Sequence, residues 1–305
     1  MLKKLSDTTY IQIIFVGLII LIGTIALGLL GYGIAYLIYG SDSLMDVLHG
    51  ISTTTAEISV LKLLQFMSQL SMFVIPPLAL AWMIRKDKPD FLCLSTVPNI
   101  AQALAIIILF VASLPIIQYT MSLNQQMQLP ESMHSLQEWM LTKENLAAEI
   151  TKKFLNTSST SSYLINLLVM AIMPAVGEEL IFRGLLTRWV ANITKNIHLN
   201  IIITSIIFSA FHLQFFGFLP RFLLGMLLGY SYYFTQSLWS SILLHFTNNA
   251  MTVSVYFWVF KSGKSINPED VGTVDSYGYV LISLLVVGGV LYWLATQKTK
   301  KHCLS

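Results

Sequence analysis

The sequence predicts an all-α, polytopic membrane protein: one membrane-embedded domain over residues 1–305, with about eight transmembrane helices. Three observations predict it. Apolar residues make up 55% of the 305 and charged residues only 11%, against about 25% charged in ordinary soluble domains. Eight segments are apolar enough, and long enough, to be read as spans, since about 20 such residues cross a bilayer. The basic residues gather in alternate loops, the bias by which membrane helices are oriented.

The spans are expected near 10–38, 64–84, 99–119, 162–188, 198–214, 216–235, 237–260 and 278–296. The first follows a basic pair, Lys3-Lys4. It is too long for the apolar core of a signal peptide and is read as a retained helix. Threading eight spans puts Lys3, Lys4, Arg85, Lys86, Lys88, Arg188, Lys195, Lys298, Lys300 and Lys301 on one side. The opposite loops are acidic or mixed, with Asp42, Asp46, Glu57 and Lys62, then Glu131 to Lys153, then Lys261 to Asp275. Both termini are therefore expected in the cytoplasm. No Lys/Arg block resembles a nucleic-acid arm, so no nucleic-acid partner is expected. Two distant cysteines, Cys93 and Cys303, form no disulfide framework by pattern.

The connection at about 120–161 is long and external. Within it, Met133, Leu136, Met140, Leu141, Leu146, Ile150 and Phe154 recur at helical spacing. Such a helix lies flat on the membrane, caps a site, or simply connects in solvent.

Spans four to seven carry the chemistry. Span four contains Gly177-Glu178-Glu179-Leu180-Ile181-Phe182-Arg183. An ionisable group at the centre of a membrane helix costs about 2.5–3.5 kcal/mol on insertion scales, and such residues face a bundle interior or a wet cavity. Glu179 and Arg183 are four apart and share a face, so they can pair. Glu178 points about 100° away and has no cation at that spacing, which leaves it freer to act as a base. The alternative is an ion-pair cluster that only locks helices together. Span five ends in Phe208-Ser-Ala-Phe-His212, and span seven contains His245-Phe-Thr-Asn-Asn249. Of six histidines these two fall well inside the predicted spans. His49, His134, His198 and His302 fall in loops, interfaces or the tail. At about 1.5 Å per residue, Glu178, His212, His245 and Asn249 reach one common level, expected to open toward the cytoplasm. In span six, Gly225 and Gly229 read as small-residue helix packing, and Arg221 as a residue that snorkels or pairs with a loop carboxylate.

Two chemistries use these residues. In one, Glu178 is the general base that activates water, helped by His212, while His245 and Asn249 stabilise the oxyanion. In the other, Glu178, His212 and His245 bind a catalytic zinc with an open water position. There is no His-Glu-x-x-His helix, and no Gly-Ser nucleophile motif with a partner base.

In these residues the chain resembles the CPBP family of CAAX proteases and bacteriocin-processing enzymes, the type II CAAX endopeptidase or Abi family. The shared pattern is Glu178-Glu179…Arg183, Phe208…His212 and His245…Asn249, within a family-like core at about 160–255. The resemblance implies an intramembrane endopeptidase. By it, Glu178 and His212 activate water, His245 and Asn249 stabilise the transition state, and Glu179, Arg183 and Phe208 support them. It leaves zinc against a metal-independent glutamate mechanism open. It implies membrane lipid and a peptide or lipidated protein as partners, and fits a bacterial inner membrane. The competing functions are a non-enzymatic immunity or scaffold protein and a proton-coupled transporter using the same charges as a relay.

Overall fold

Helix boundaries follow local chemistry in a computed structural model that describes residues 2–50, 54–263 and 277–297, with side chains from Leu5 onward. Lys264, Glu269, Asp270, Asp275, Lys298, Lys300, Lys301, His302 and Cys303 lie outside the described residues, as do the side chains of Lys3 and Lys4. Among the described residues every regular element is helical. They are α1 (Leu2–Asp7), α2 (Thr9–Leu48), α3 (Thr55–Ile84), α4 (Ile100–Gln125), α5 (His134–Leu155), α6 (Thr160–Ala191), α7 (Ile197–Phe211), α8 (Phe218–Thr235), α9 (Leu238–Ser262) and α10 (Tyr277–Thr296).

Each of the eight expected spans coincides with a helix, but their lengths differ. By length and composition, α2, α3, α4, α6 and α10 suffice to cross a membrane. The other three are shorter or more polar. At 15 residues, α7 rises only about 22 Å, below the roughly 30 Å of a hydrocarbon core.

Capping residues explain a large boundary shift. The second span was expected from about 64, yet α3 begins at Thr55. Thr54 and Glu57 form a reciprocal capping box: Glu57 Oε2 accepts from the Thr54 amide (2.9 Å), and Thr54 Oγ1 accepts from the Glu57 amide (3.3 Å). The Thr-x-x-Glu signature was present in the sequence; Glu57 had been counted only as a loop charge. Asn99 and Gln102 cap α4 in the same way. At Gly40 (φ 82°) the backbone breaks α2, after its apolar stretch ends.

Three wide, π-type segments interrupt the long helices: Leu70–Val74 in α3, and Leu167–Ile172 and Leu180–Leu186 in α6. Pro76-Pro77 and Pro174 follow the first two. Proline has no N–H and crowds the preceding turn, which widens in response. The third segment contains no proline. Thr187 Oγ1 donates to the Phe182 carbonyl (2.9 Å), and Asn200 Nδ2 of α7 donates to the Thr187 carbonyl (2.8 Å). Side chains thus satisfy backbone oxygens that the widened ladder releases.

Packing places α6 between two apolar cores. One gathers Leu80 and Ile84 of α3, Leu92, and Leu180 and Leu185 of α6. The other gathers Ile106 and Leu109 of α4, Phe182, Phe208, Leu228 and Leu244. Close approach depends on absent side chains. A Cβ on Gly177 would stand 2.7 Å from Phe73 Cβ of α3, and one on Gly225 would stand 3.0 Å from Ser205 Cβ of α7. The small-residue reading of Gly225 and Gly229 therefore holds: both seat α8 against α7.

The external connection resolves into α5, close to the expected 130–154. Its end is anchored: Phe154 and Leu155 are buried, and the Phe154 carbonyl accepts from Lys62 Nζ (3.3 Å) and Asn166 Nδ2 (2.6 Å). Its middle covers the α7–α8 turn, where Trp139 packs on Phe215 at 5.5 Å. Of the three readings, capping is the one the contacts support. Cys93 is buried, its Sγ 3.0 Å from the Tyr232 hydroxyl and 3.1 Å from Arg188 Nη2; Cys303 lies outside the described residues.

Gly177→Ala is expected to destabilise by about 1–3 kcal/mol, because the added methyl overpacks against Phe73. Thermal unfolding in detergent should show a lower midpoint. Gly28→Ala, with nothing within 4 Å of the added atom, should leave the midpoint unchanged.

Candidate active site

Glu178 and Glu179 sit on adjacent helical positions and so diverge, and the structure gives them different environments. Glu179 is fully buried. Its Oε1 accepts from Arg183 Nη1 at 2.7 Å and from His245 Nδ1 at 2.8 Å. The i,i+4 pairing expected in α6 is thus formed, and His245 of α9 joins it. Arg183 has further partners. Its Nη2 donates to the Gly225 carbonyl of α8 (3.0 Å), and its guanidinium lies 4.7 Å from the centre of the Phe208 ring. One guanidinium therefore ties α6, α7 and α8 together, and the shared carboxylate adds α9.

Glu178 faces the two histidines without touching them. Its Oε2 is 3.9 Å from His212 Nε2 and 3.9 Å from His245 Nε2. That is too long for a hydrogen bond and of a size that one small molecule can bridge. Glu178 Oε2 makes no hydrogen bond among the described residues. The far nitrogen of each ring is committed. His212 Nδ1 is 2.9 Å from the Phe208 carbonyl, and His245 Nδ1 is 2.8 Å from the Glu179 carboxylate. Both partners only accept, so both Nδ1 atoms carry the proton. In a neutral ring, each Nε2 then presents a lone pair toward Glu178.

Phe208 explains its place in the motif. Its carbonyl orients His212. Its ring is buried, 5.1 Å from the His212 ring and 5.8 Å from the His245 ring. Phe182 packs edge-on against it at 5.2 Å. Both histidines are thereby held by an apolar wall.

Six of the seven singled-out residues thus meet: Glu178, Glu179, Arg183, Phe208, His212 and His245. Asn249 stands one helical turn from His245 on the same face of α9. Its Oδ1 accepts from Asn248 Nδ2 (2.9 Å), and no hydrogen bond joins it to Glu178 or the histidines among the described residues. One expectation needs correction. His212 is not inside a span but the residue that ends α7. Exposure does not rise toward the Arg188 side: the side chain is 0% exposed at Glu179 and 2% at Arg183, against 17% at Glu178 and 28% at His212. Among these four side chains exposure is thus greatest at His212, beside the α7–α8 turn that α5 covers. The physical cause is the short α7, which ends within the bundle and leaves its last side chain uncovered.

Arg221 was read from sequence as a snorkelling or loop-paired residue. It is instead partly buried near His212, bonded to the side chain and backbone of Gln214. Sequence position alone could not show this, because α8 begins inside the bundle.

The donor chemistry would suit zinc: two Nε2 lone pairs with secured Nδ1 partners and a carboxylate oxygen without one. Yet among the described residues no three His, Cys, Asp or Glu side chains are grouped closely enough to hold a metal ion. The arrangement as it stands does not fit the metal, and no step is routed through one.

A helical membrane bundle with two carboxylates and two histidines facing each other across its interior is the class defined by fold and site. Residues 160–251 match the family model for Rce1-like proteins, type II CAAX prenyl endopeptidases. The match covers under a third of the chain, the segment whose motifs resemble the CPBP group, and all seven singled-out residues fall within it. No curated protein and no solved structure matched the chain. The protein is an integral membrane protein whose core is similar to that of type II CAAX prenyl endopeptidases.

Arg183→Met should be severely destabilising, by about 3–5 kcal/mol, because it leaves the Glu179 charge buried with its main partner gone. The combined Glu179→Gln, Arg183→Met variant should recover part of the loss. Detergent-solubilised unfolding midpoints of the single and double variants check this.

Proposed function

We propose that the protein hydrolyses peptide bonds of membrane-associated, possibly lipidated, substrates, with Glu178 as general base. The observation that carries this reading is the 3.9 Å separation of Glu178 Oε2 from both histidine Nε2 atoms. One water between them would be held by acceptors on several sides and aligned for deprotonation. Glu178 takes a proton as the water oxygen attacks the scissile carbonyl carbon. The C–N bond then breaks, and the proton passes to the leaving amine. His212 positions the water.

His245 has a distinct task. Its Nδ1–H is bonded to Glu179, so a proton gained at Nε2 would make an imidazolium stabilised by that carboxylate. Such a ring, with the Asn249 amide one turn along, would donate to the developing oxyanion. Arg183 holds Glu179, and so acts on the reaction only through the His245 ring. In the zinc version, Glu178, His212 and His245 would be the ligands, and their side chains would have to draw closer. The basic loops support a cytoplasmic location for both termini in a bacterial cell membrane.

Glu178→Gln keeps the shape and removes the base. Cleavage of a membrane-anchored reporter peptide in proteoliposomes should fall at least about 100-fold, the usual range for a general base. The unfolding midpoint should stay near that of the unchanged protein. Retained cleavage would sink the reading, and would leave the immunity, scaffold or transporter functions. Metal analysis of an active preparation decides between the two chemistries: activity without stoichiometric metal favours the glutamate mechanism, and loss on chelation with recovery on added zinc favours the metal.

A further inference from the structure

Arg221 is a second cation at the site, and the hydrolytic scheme gives it no task. It lies in the first turn of α8, and its guanidinium is folded back against Gly217. A Cβ at that glycine would stand 2.7 Å from Nη2 and 2.9 Å from Nη1. Gln214 fixes the group from one side: its Oε1 accepts from Nη1 (3.0 Å), and its carbonyl accepts from Nη2 (2.5 Å). The Arg221 Nε–H is buried and has no hydrogen-bond partner among the described residues. Among the described residues no carboxylate lies within ion-pair distance of this guanidinium. An opposing charge that acts on it is Glu144 of α5, whose Oε2 accepts from the Phe216 amide (3.4 Å). His212 feels the Arg221 charge as well as those of Glu178 and His245.

These facts fit a binding group better than a structural one. A guanidinium drawn out of water within a membrane bundle is costly unless an anion meets it. Arg183, the other buried guanidinium, has such an anion at 2.7 Å. Arg221 is held in place by neutral acceptors, has a buried N–H without a partner among the described residues, and stands on the side of the site where exposure increases. A planar guanidinium fixed in this way suits a carboxylate, which it can bind through two parallel N–H donors.

We propose that Arg221 binds a carboxylate of the peptide substrate next to the scissile bond and so sets specificity for acidic or carboxyl-terminal sequence. This rests on the peptidase reading above. Glu144 is the competing carboxylate, carried on the helix that covers the turn. The anion has two possible sources, a free C-terminus or an Asp/Glu side chain, and both offer the same chemistry.

The test uses the full-length protein in proteoliposomes and three forms of one membrane-anchored peptide: C-terminal acid, C-terminal amide, and amide with an added Glu near the cleavage position. The unchanged protein should cleave the acid, or the Glu-bearing amide, with a kcat/KM about tenfold or more above the plain amide, the worth of one charge-assisted contact. Which of the two is preferred identifies the source. Arg221→Gln should bring that ratio close to one through KM, and Arg221→Lys should leave an intermediate ratio. Glu144→Gln, on a peripheral helix, should raise the ratio by removing a negative charge that repels the substrate carboxylate near Arg221, and gives a readout even if Arg221 variants do not fold. Equal cleavage of all three peptides by the unchanged protein, or a ratio indifferent to Arg221→Gln and Glu144→Gln, would overturn the assignment while leaving the peptidase intact. No cleavage of any peptide would overturn the peptidase reading and this one with it.

Discussion

A carboxylate with no water around it has to be neutralised by its neighbours, and Glu179 is where that constraint shapes this bundle. Its Oε1 is shared between Arg183 and His245. Arg183 in turn reaches the Gly225 carbonyl and the face of Phe208. Four helices are therefore registered on one charge. Dispersion between apolar helices alone would not select a single rotation of each, because lipid tails are as apolar as the side chains they replace. The polar cluster supplies that selection, at the cost of burying charge.

The same cluster separates the roles of two adjacent glutamates. One faces inward and is neutralised. The other, 100° around the helix, is left opposite two imidazoles whose outer nitrogens are already engaged. Those outer contacts, with the Phe208 carbonyl and with Glu179, set the tautomers and aim both Nε2 atoms at one carboxylate oxygen. The wide turn at Leu180–Leu186 begins immediately after this pair. Segments of this type recur at functional sites because they offset a helix face by one residue. Here Thr187 and Asn200 repair the backbone bonds that the offset breaks.

Access and capping follow from helix length. Because α7 is short, His212 ends it inside the bundle, and the polar edge of the site lies beneath α5. That helix is amphipathic, anchored at its end through the Phe154 carbonyl and resting on Phe215 by Trp139. Its position brings Glu144 into the field of Arg221. Hydrolysis at a membrane-embedded site requires both an entry for a flexible peptide and restricted water. A covering helix above a short hairpin offers both.

Composition and periodicity determined the membrane class, the helical segments and the identity of the polar residues, because burying ionisable groups in apolar helices is costly enough to be conspicuous along the chain. The spacing of four between Glu179 and Arg183, and between His245 and Asn249, was legible for the same reason: it is intrahelical geometry. Partners across helices were not. That Glu179 accepts from His245, that Phe208 lies beneath Arg183 and beside both histidines, and that Arg221 turns inward are decided by how helices rotate and where they end. Helix ends were partly legible: the Thr54–Glu57 capping signature stood in the sequence, whereas nothing local marked how short α7 would be relative to its neighbours. Only tertiary packing could decide which oxygen of Glu178 faces two lone pairs, since that arrangement exists only once α6, α7 and α9 have met.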